Sequence, residues 1–194
     1  MSAKDNPKPR YFDMDKLPKS FPTHRHSDEF WECLGRVVAS YGFLEEIIGR
    51  AIFALAVPDS KDRTVEKLDL SNQKLRSKLE GALTGTLVKL SDMLQKETKA
   101  YDGLDKQNVS ELVSRIKEHS KYRNALCHGS WQVPDEKGKS LPRYVDREVR
   151  VFAMPVDAND LREIQKDVAE TSIQVMETVT SLGIDFPGRR EIDN

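Results

Sequence analysis

The chain has 194 residues, of which 31 are basic and 32 acidic, so its net charge near neutral pH is −1. This length predicts one domain with short extensions rather than two full domains. The charge balance excludes a protein that binds nucleic acid through overall basic charge, so any RNA contact must come from a local patch. The large charged fraction, 32%, is typical of helices with solvated outer faces.

Cysteine usage and apolar runs predict a cytoplasmic protein that needs no metal, no cofactor and no membrane. Cys33 and Cys127 form no Cys-x-x-Cys pair, which argues against a zinc site or a redox motif and fits a reducing compartment. The longest plainly apolar run, residues 51–57, is far shorter than a membrane span. The first residues lack the apolar segment of a signal peptide.

Both ends of the chain are predicted to lie outside the folded domain. Residues 1–26 contain scattered prolines without a regular period, which predicts an extended arm. Tyr11, Phe12 and Phe21 could pack this arm on the surface. At the other end, residues 185–194 are short and polar and are interpreted as a tail.

The first helix is the most clearly marked element. Ser27 is a suitable N-cap, and apolar residues recur at three- and four-residue steps from Phe30 to Leu55. Pro58 is expected to end the helix, because proline cannot continue the hydrogen-bond pattern. The pattern predicts one long helix with a single buried face.

A second helix is expected after a polar connection over residues 58–71. Ser71 is its expected cap, and an apolar stripe over residues 75–94 defines its buried face. Gly81 and Gly85 lie inside this segment. They weaken helix propensity but permit close approach of another helix.

Two more helices follow. The third is predicted over residues 106–127, with Gly129 as a natural C-terminal stop. The fourth begins at Asp157 or Asn159 and ends at Gly183. Its apolar residues again recur at helical spacing.

A β-hairpin is predicted between the third and fourth helices, over about residues 130–154. Residues 131–133 are strand-like, residues 134–138 have turn chemistry, and residues 143–152 are rich in β-branched and aromatic side chains. The whole pattern predicts an all-α domain over residues 27–184. Its expected architecture is a four-helix up-down bundle with a small β-hairpin insertion.

Chemistry-bearing side chains crowd the end of the third helix and the residues after it. They are His119, Ser120, Lys121, Tyr122, Arg123, Asn124, His128, Ser130 and Trp131. Arginine supplies a planar fork that suits phosphate oxygens, and histidine transfers protons near neutral pH. The two aromatic rings could stack on bases. This combination favours a site that acts on a phosphodiester.

Helical geometry constrains how these groups can meet. Arg123 and His128 are five residues apart, which separates them by about 140° around a helix and about 7.5 Å along it. Asn124 and His128, four apart, share a face. Arg123 must therefore reach around the helix or meet His128 across a dimer interface. One hypothesis is that Asn124 orients the His128 ring while Arg123 binds phosphate.

The motif resembles the signature of the HEPN family, in which an arginine, four residues and a histidine stand late in the third helix of a small bundle. Here it reads Arg123-Asn124-Ala125-Leu126-Cys127-His128, followed by Gly129. Residues 34–46, LGRVVASYGFLEE, also resemble the first helices of small bacterial members. The likeness spans roughly residues 28–182.

The resemblance implies a metal-independent endoribonuclease with Arg123, His128 and Asn124 as catalytic residues. His128 would act in acid–base chemistry and Arg123 would hold the scissile phosphate. It also implies a homodimer, a bacterial defence or toxin-like role, and a partner antitoxin or regulatory protein. Some members carry a tyrosine two residues after the histidine. Here Ser130 stands there, so control by nucleotidylation of that tyrosine is not expected.

The same resemblance leaves other classes of function open. A catalytically inactive bundle could bind RNA or another protein, and a structural dimer could carry the motif by coincidence. Cations at a helix C-terminus stabilise it by about 0.3–1 kcal/mol each, which would account for Arg123 and His128 without catalysis. His119 fits a polar core residue, while Tyr122 and Trp131 fit packing at the bundle end. Lys121 and Ser130 remain possible substrate contacts.

Three further pairings are interpreted as non-functional. His24 and His26 lie in the arm without a nearby cysteine, so a solvated pair is expected rather than a metal site. Glu45 and Glu46 could point into the cleft, but charged residues of an amphipathic helix usually lie in solvent, so solvated side chains are expected. The thiol of Cys127 points about 100° away from its neighbour on the helix, which argues against a Cys–His catalytic pair.

Overall fold

The computed structural model describes residues 11, 13–57, 73–146 and 149–186, and over these the protein is mainly helical. This agrees with the predicted all-α class. The elements in this part of the chain are α1 (Asp28–Ala56), α2 (Gln73–Thr84), α3 (Leu87–Thr98), α4 (Lys106–His128), β1 (Ser130–Trp131), β2 (Pro142–Arg143) and α5 (Ala158–Thr180). None of these helices is long and apolar enough to cross a membrane.

Helix α1 begins where the sequence predicts. The Ser27 hydroxyl accepts a hydrogen bond from the Phe30 N–H (3.2 Å), and Asp28 and Glu29 place negative charge in the first turn. Its apolar stripe is buried along the length of the helix. The prediction of this helix is confirmed. Pro58, the residue expected to end it, lies outside the described residues.

The single second helix expected over residues 75–94 is wrong, because the chain forms α2 and α3 there. Thr86 starts the new helix: its Oγ1 accepts from the Lys89 N–H (3.5 Å). The two helices meet closely at the glycines: an added Cβ would lie 3.2 Å from Met93 Cε at Gly81 and 3.1 Å from Leu90 Cδ2 at Gly85. The glycines therefore permit close approach between two halves of the segment itself.

The extra helix has consequences for topology. Leu83, part of the predicted apolar stripe, is 83% exposed. The connection over residues 58–71, including Ser71, lies outside the described residues. Arg162 near the start of α5 pairs with Glu29 near the start of α1, so these two helices run in the same direction. In an up-down bundle of four helices, the first and last would run in opposite directions.

The core lies around α1, which packs against each of the other four described helices. Its largest fully buried side chains are Val37, Tyr41, Leu44, Ile47, Ile48, Ile52, Leu87, Leu90, Leu94, Ile116, Val156 and Leu161. Helix α4 runs antiparallel to α1. Tyr101 before α4 donates to the Leu55 carbonyl (2.6 Å), while Trp131 after α4 packs edge-on against Phe30. Tyr41 of α1 meets His119 of α4 edge-on and Glu45 lies 3.7 Å from Arg123, so the C-terminal half of α4 lies beside the middle of α1.

The hairpin is present but shorter than predicted. β1 and β2 pair antiparallel, with Ser130 opposite Arg143 and Trp131 opposite Pro142. Pro142 has no N–H, so it can contribute no donor to the strand ladder. Each strand is therefore only two residues long.

The predicted strand over residues 143–152 contains a reversal of the chain. The Asp146 carboxylate accepts hydrogen bonds from the Arg150 backbone N–H (2.9 Å) and Nε (2.7 Å), and Val149 has a φ of 63°. An aspartate that binds the backbone a few residues later is a common turn-forming device. The β-branched residues of this segment thus lie on both sides of a turn.

His26, not the predicted aromatic residues, anchors the N-terminal arm. Tyr11 is 88% exposed and Phe21 is 55% exposed, so the expected packing through them is wrong. Phe12 lies outside the described residues. His26 Nε2 lies 2.9 Å from the hydroxyl of buried Ser140, which joins the arm to the hairpin.

The folded domain extends slightly further than the sequence suggests. Ile184 and Phe186 are both buried in the hydrophobic core. Phe186 belongs to the segment interpreted as a polar tail over residues 185–194. Residues 187–194 lie outside the described part of the chain.

Candidate active site

Helix α4 carries the predicted motif on its last two turns. The helix starts at the Asp105 cap, whose side chain accepts from the Gln107 N–H (2.7 Å). It ends where the Gly129 N–H donates to the Ala125 carbonyl (2.9 Å). His128 is therefore the last helical residue, directly before the hairpin.

Arg123 and His128 meet within a single chain. Arg123 Nη1 lies 3.4 Å from His128 Nε2, because the long arginine side chain crosses the angular gap between them. A guanidinium only donates hydrogen bonds, so His128 Nε2 is the acceptor in this contact. His128 is exposed and Arg123 is about one-third exposed. Both groups are therefore accessible to a substrate.

Asn124 contacts the arginine rather than the histidine. Its Oδ1 accepts a long hydrogen bond from Arg123 Nη1 (3.4 Å). The structure gives no hydrogen bond between Asn124 and His128 among the described residues. The hypothesis that Asn124 orients the imidazole therefore gains no support, and its contact here is with the phosphate-binding candidate.

Glu45 of α1 belongs to this cluster, although the sequence interpretation favoured a solvated side chain over one that points into the cleft. Its Oε1 lies 3.7 Å from Arg123 Nε, and its side chain is 28% exposed, so the expectation that it is simply solvated is wrong. Glu45 is four residues after Tyr41 and three before Ile48, both buried. That spacing places it on the flank of the buried face, which is a signal in the sequence, although a weak one.

Cys127 lies beside the cluster as a protonated thiol. Burial raises the pKa of Cys127, and the neighbouring Glu45 carboxylate acts in the same direction, while Arg123 opposes them. A raised pKa disfavours the thiolate, which is the nucleophilic form. Catalysis by a Cys–His pair is therefore disfavoured here.

His119 is a core residue and does not reach the site surface. It is 3% exposed, and its Nε2 lies 2.9 Å from Thr171 Oγ1 of α5 and 3.4 Å from Asp167 Oδ2. Its ring also meets Tyr41 edge-on. The possible substrate-binding role for His119 is wrong, because α5 and α1 cover it.

Burial of His119 predicts a loss of stability in mild acid. Burial lowers its pKa below the ordinary 6.5, outweighing the Asp167 carboxylate. The unfolded chain therefore takes up a proton before the folded one, so the free energy of unfolding should fall as pH drops below about 6.5. Urea unfolding at pH 7 and pH 5 measures the loss of stability, and His119→Gln should reduce the difference in the free energy of unfolding between the two pH values.

His26, whose pKa is also lowered by burial, should account for part of the difference that remains in His119→Gln. An unchanged difference in His119→Gln would contradict the assignment.

Lys121 and Ser130 are exposed near the motif. Lys121 pairs with Glu118 one turn earlier (2.7 Å), an exposed contact of small energetic value. Ser130 lies in β1, two residues after His128 and opposite Arg143. Both remain positioned to contact a bound strand.

The two aromatic candidates are packed against the protein. Tyr122 is half-buried and meets Phe152 of the hairpin edge-on, with ring centroids 5.8 Å apart. Trp131 is also half-buried, edge-on to Phe30 and His26. These contacts match the packing interpretation better than base stacking.

Other features of the described chain lie apart from this cluster. A groove of about 500 Å³ lies between the first half of α4 and the end of α5, lined in part by Asp105, Arg115 and Glu177. None of the motif residues lines this groove. Its volume alone therefore does not make it the candidate active site. Among the described residues, no group of three or more His, Cys, Asp or Glu side chains is arranged to hold a metal.

Comparison of the chain with protein-family models, with curated proteins and with solved structures finds no match. Any function proposed for this chain therefore depends on the geometry of the site and on the resemblance in the motif.

Proposed function

We propose that this protein is a metal-independent endoribonuclease of the HEPN type, cleaving RNA with the ribose 2′-hydroxyl as nucleophile. The single observation that carries the proposal is the 3.4 Å approach of Arg123 Nη1 to His128 Nε2 in an accessible position. A phosphate-binding fork and a proton-transfer group side by side are what this reaction requires.

The reaction would proceed by attack of the 2′-oxygen on the adjacent phosphorus as the bond to the 5′-oxygen breaks. Arg123 would bind the non-bridging oxygens and offset the charge that develops on them. His128 would take part in proton transfer. The products would be a 2′,3′-cyclic phosphate and a 5′-hydroxyl, and DNA would resist because it lacks the nucleophile.

The architecture and partners implied by the resemblance belong to the same proposal. Helices α1, α3, α4 and α5, which supply most of the core, would be the four helices of a HEPN-like bundle. Two copies would associate as a homodimer, with RNA as substrate. An antitoxin or regulatory protein and a role in bacterial defence are proposed from family analogy alone.

Incubation of the purified protein with RNA in excess EDTA tests the activity. Wild-type protein should cleave RNA to fragments with 2′,3′-cyclic phosphate ends and leave the matching DNA intact. His128→Ala should lower the rate about 10²–10⁴-fold, the usual contribution of a proton-transfer group. Lys117→Ala is the matched control: Lys117 lies on the same helix, pairs with Asp92 of α3 (2.7 Å) and has no role in the site, so this variant should cleave at a rate close to wild type. Cleavage that survives in His128→Ala, or that EDTA abolishes, would contradict the proposal.

A second candidate function is a catalytically inactive module that binds RNA or another protein. It is favoured by Glu45, since a carboxylate 3.7 Å from Arg123 offsets part of the charge that would bind phosphate. Retention of RNA without cleavage, measured by gel shift in EDTA, would support it. Light scattering tests the homodimer independently of either activity.

A further inference from the structure

The proposed reaction needs two proton transfers at one phosphodiester. A base must take the proton from the 2′-hydroxyl, and an acid must give a proton to the departing 5′-oxygen. One imidazole cannot occupy both positions during a single attack. The site must therefore contain a second group that transfers protons, from this chain or from another copy.

Glu45 has the position that such a second group would need. Its Oε1 lies 3.7 Å from Arg123 Nε, while His128 Nε2 lies 3.4 Å from Nη1 of the same guanidinium. The carboxylate and the imidazole thus face different nitrogens of one fork. A phosphate held by that fork would have a base on one side and an acid on the other.

We infer that Glu45 is the general base and His128 the general acid of a cleavage site that is complete within one chain. This inference rests on the proposed nuclease function and names the residues that perform its two proton transfers.

Neighbouring groups fit the role less well. Asn124 carries an amide that does not accept a proton, and Cys127 is a half-buried thiol whose pKa is raised by burial. Glu46, next in the chain, is paired with Arg50 on the exposed side of α1. Glu45 lies beside Arg123, and its side chain is 28% exposed, so the carboxylate is accessible to a ligand.

The chemical step balances with these two residues. The Glu45 carboxylate takes the 2′-hydroxyl proton as the 2′-oxygen forms its bond to phosphorus. The bond from phosphorus to the 5′-oxygen breaks, and protonated His128 gives its proton to that oxygen. The step ends with Glu45 protonated and His128 neutral, and exchange with water restores both.

Paired substitutions at adjacent residues test the base. Glu45→Gln should lower kcat about 10²–10⁴-fold with little change in KM, whereas Glu46→Gln should leave both unchanged. A base must be deprotonated, so the fall in wild-type activity on the acid side of the pH profile should disappear in Glu45→Gln. If the acid-side fall persists in that variant, Glu45 only positions Arg123 and the inference is overturned.

A modified substrate separates the base from the acid. An oligonucleotide with one ribonucleotide followed by a 5′-bridging sulfur has a leaving group that needs no proton. It should restore cleavage by His128→Ala to near the wild-type rate and leave Glu45→Gln impaired. Rescue of Glu45→Gln and not of His128→Ala would reverse the assignment.

Mixing the two inactive variants tests whether one chain is sufficient. If each site is complete in one chain, equal amounts of Glu45→Gln and His128→Ala should show no activity beyond that of either alone. Restored cleavage would mean that residues from two copies share a site, which overturns the inference while the nuclease function stands. A wild-type protein that cleaves no RNA would instead refute the nuclease function, and the inference with it.

Discussion

Replacing Arg123 with lysine is expected to lower the rate of RNA cleavage about 10²–10³-fold, the usual cost of losing one donor that stabilises a developing charge. The positive charge remains, but lysine is a point charge without the planar fork. It cannot contact Glu45 through one nitrogen while another contacts Asn124 and His128, as the guanidinium does. Steady-state cleavage of a short RNA in EDTA measures the effect.

The matched control for this change is Arg36→Lys. Arg36 is an exposed arginine of α1 whose guanidinium pairs with Glu32 one turn earlier (2.8 Å). Within the described part of the chain its guanidinium contacts Glu32 and none of the site residues, so its replacement should leave the cleavage rate unchanged. An Arg123→Lys variant that cleaves within a few-fold of wild type would show that a fork at this position is not required.

Replacing Gly129 with alanine is expected to lower the free energy of unfolding by about 1–3 kcal/mol, the usual cost of forcing an extra methyl group into a packed site. The added Cβ would clash with the Ala125 carbonyl oxygen and would lie 2.6 Å from the Cβ of Pro142. The backbone of β2 would have to move away from the end of α4. Because His128 is the preceding residue, cleavage should fall as well.

Comparing the urea denaturation of Gly129→Ala with that of Gly42→Ala separates the steric clash of the added methyl group from the general effect of replacing glycine with alanine. Gly42 lies within α1, and an added Cβ would meet nothing within 4 Å. Alanine there should stabilise the helix by up to about 1 kcal/mol, because it loses less backbone entropy than glycine. Equal stability changes in the two variants would contradict the explanation.

The sequence predicts Gly129 as a helix stop, but the structure gives a different reason for glycine at this position. Its φ of −71° is available to any residue. Glycine is needed because a side chain would collide with Pro142.

The helices that the sequence predicts well are those whose signals are local. Ser27 caps α1, and Asp157 caps α5 by accepting the Asn159 N–H (2.8 Å) and the Asp160 N–H (2.9 Å). Cap, apolar period and stop each act within a few residues along the chain. The break at Gly85 is less predictable, because a glycine inside an apolar stripe is compatible with one helix or with two.

The candidate site also has features that the local sequence predicts and features that depend on tertiary packing. The sequence places Arg123, Asn124 and His128 at the end of one helix, because their spacing is a property of the helix alone. Burial of His119 and packing of Tyr122 against the hairpin depend on which helices and loops cover them. No pattern within α4 carries that information.

The sequence by itself determined the helical class, the bounds of its longest helices and the motif at the end of α4. Only the tertiary structure decided that Arg123 turns toward His128 and that Glu45, from a different helix, lies beside Arg123. The physical reason is that helix signals arise from neighbouring residues. A cluster of side chains from α1 and α4 depends instead on how the two helices pack across the core.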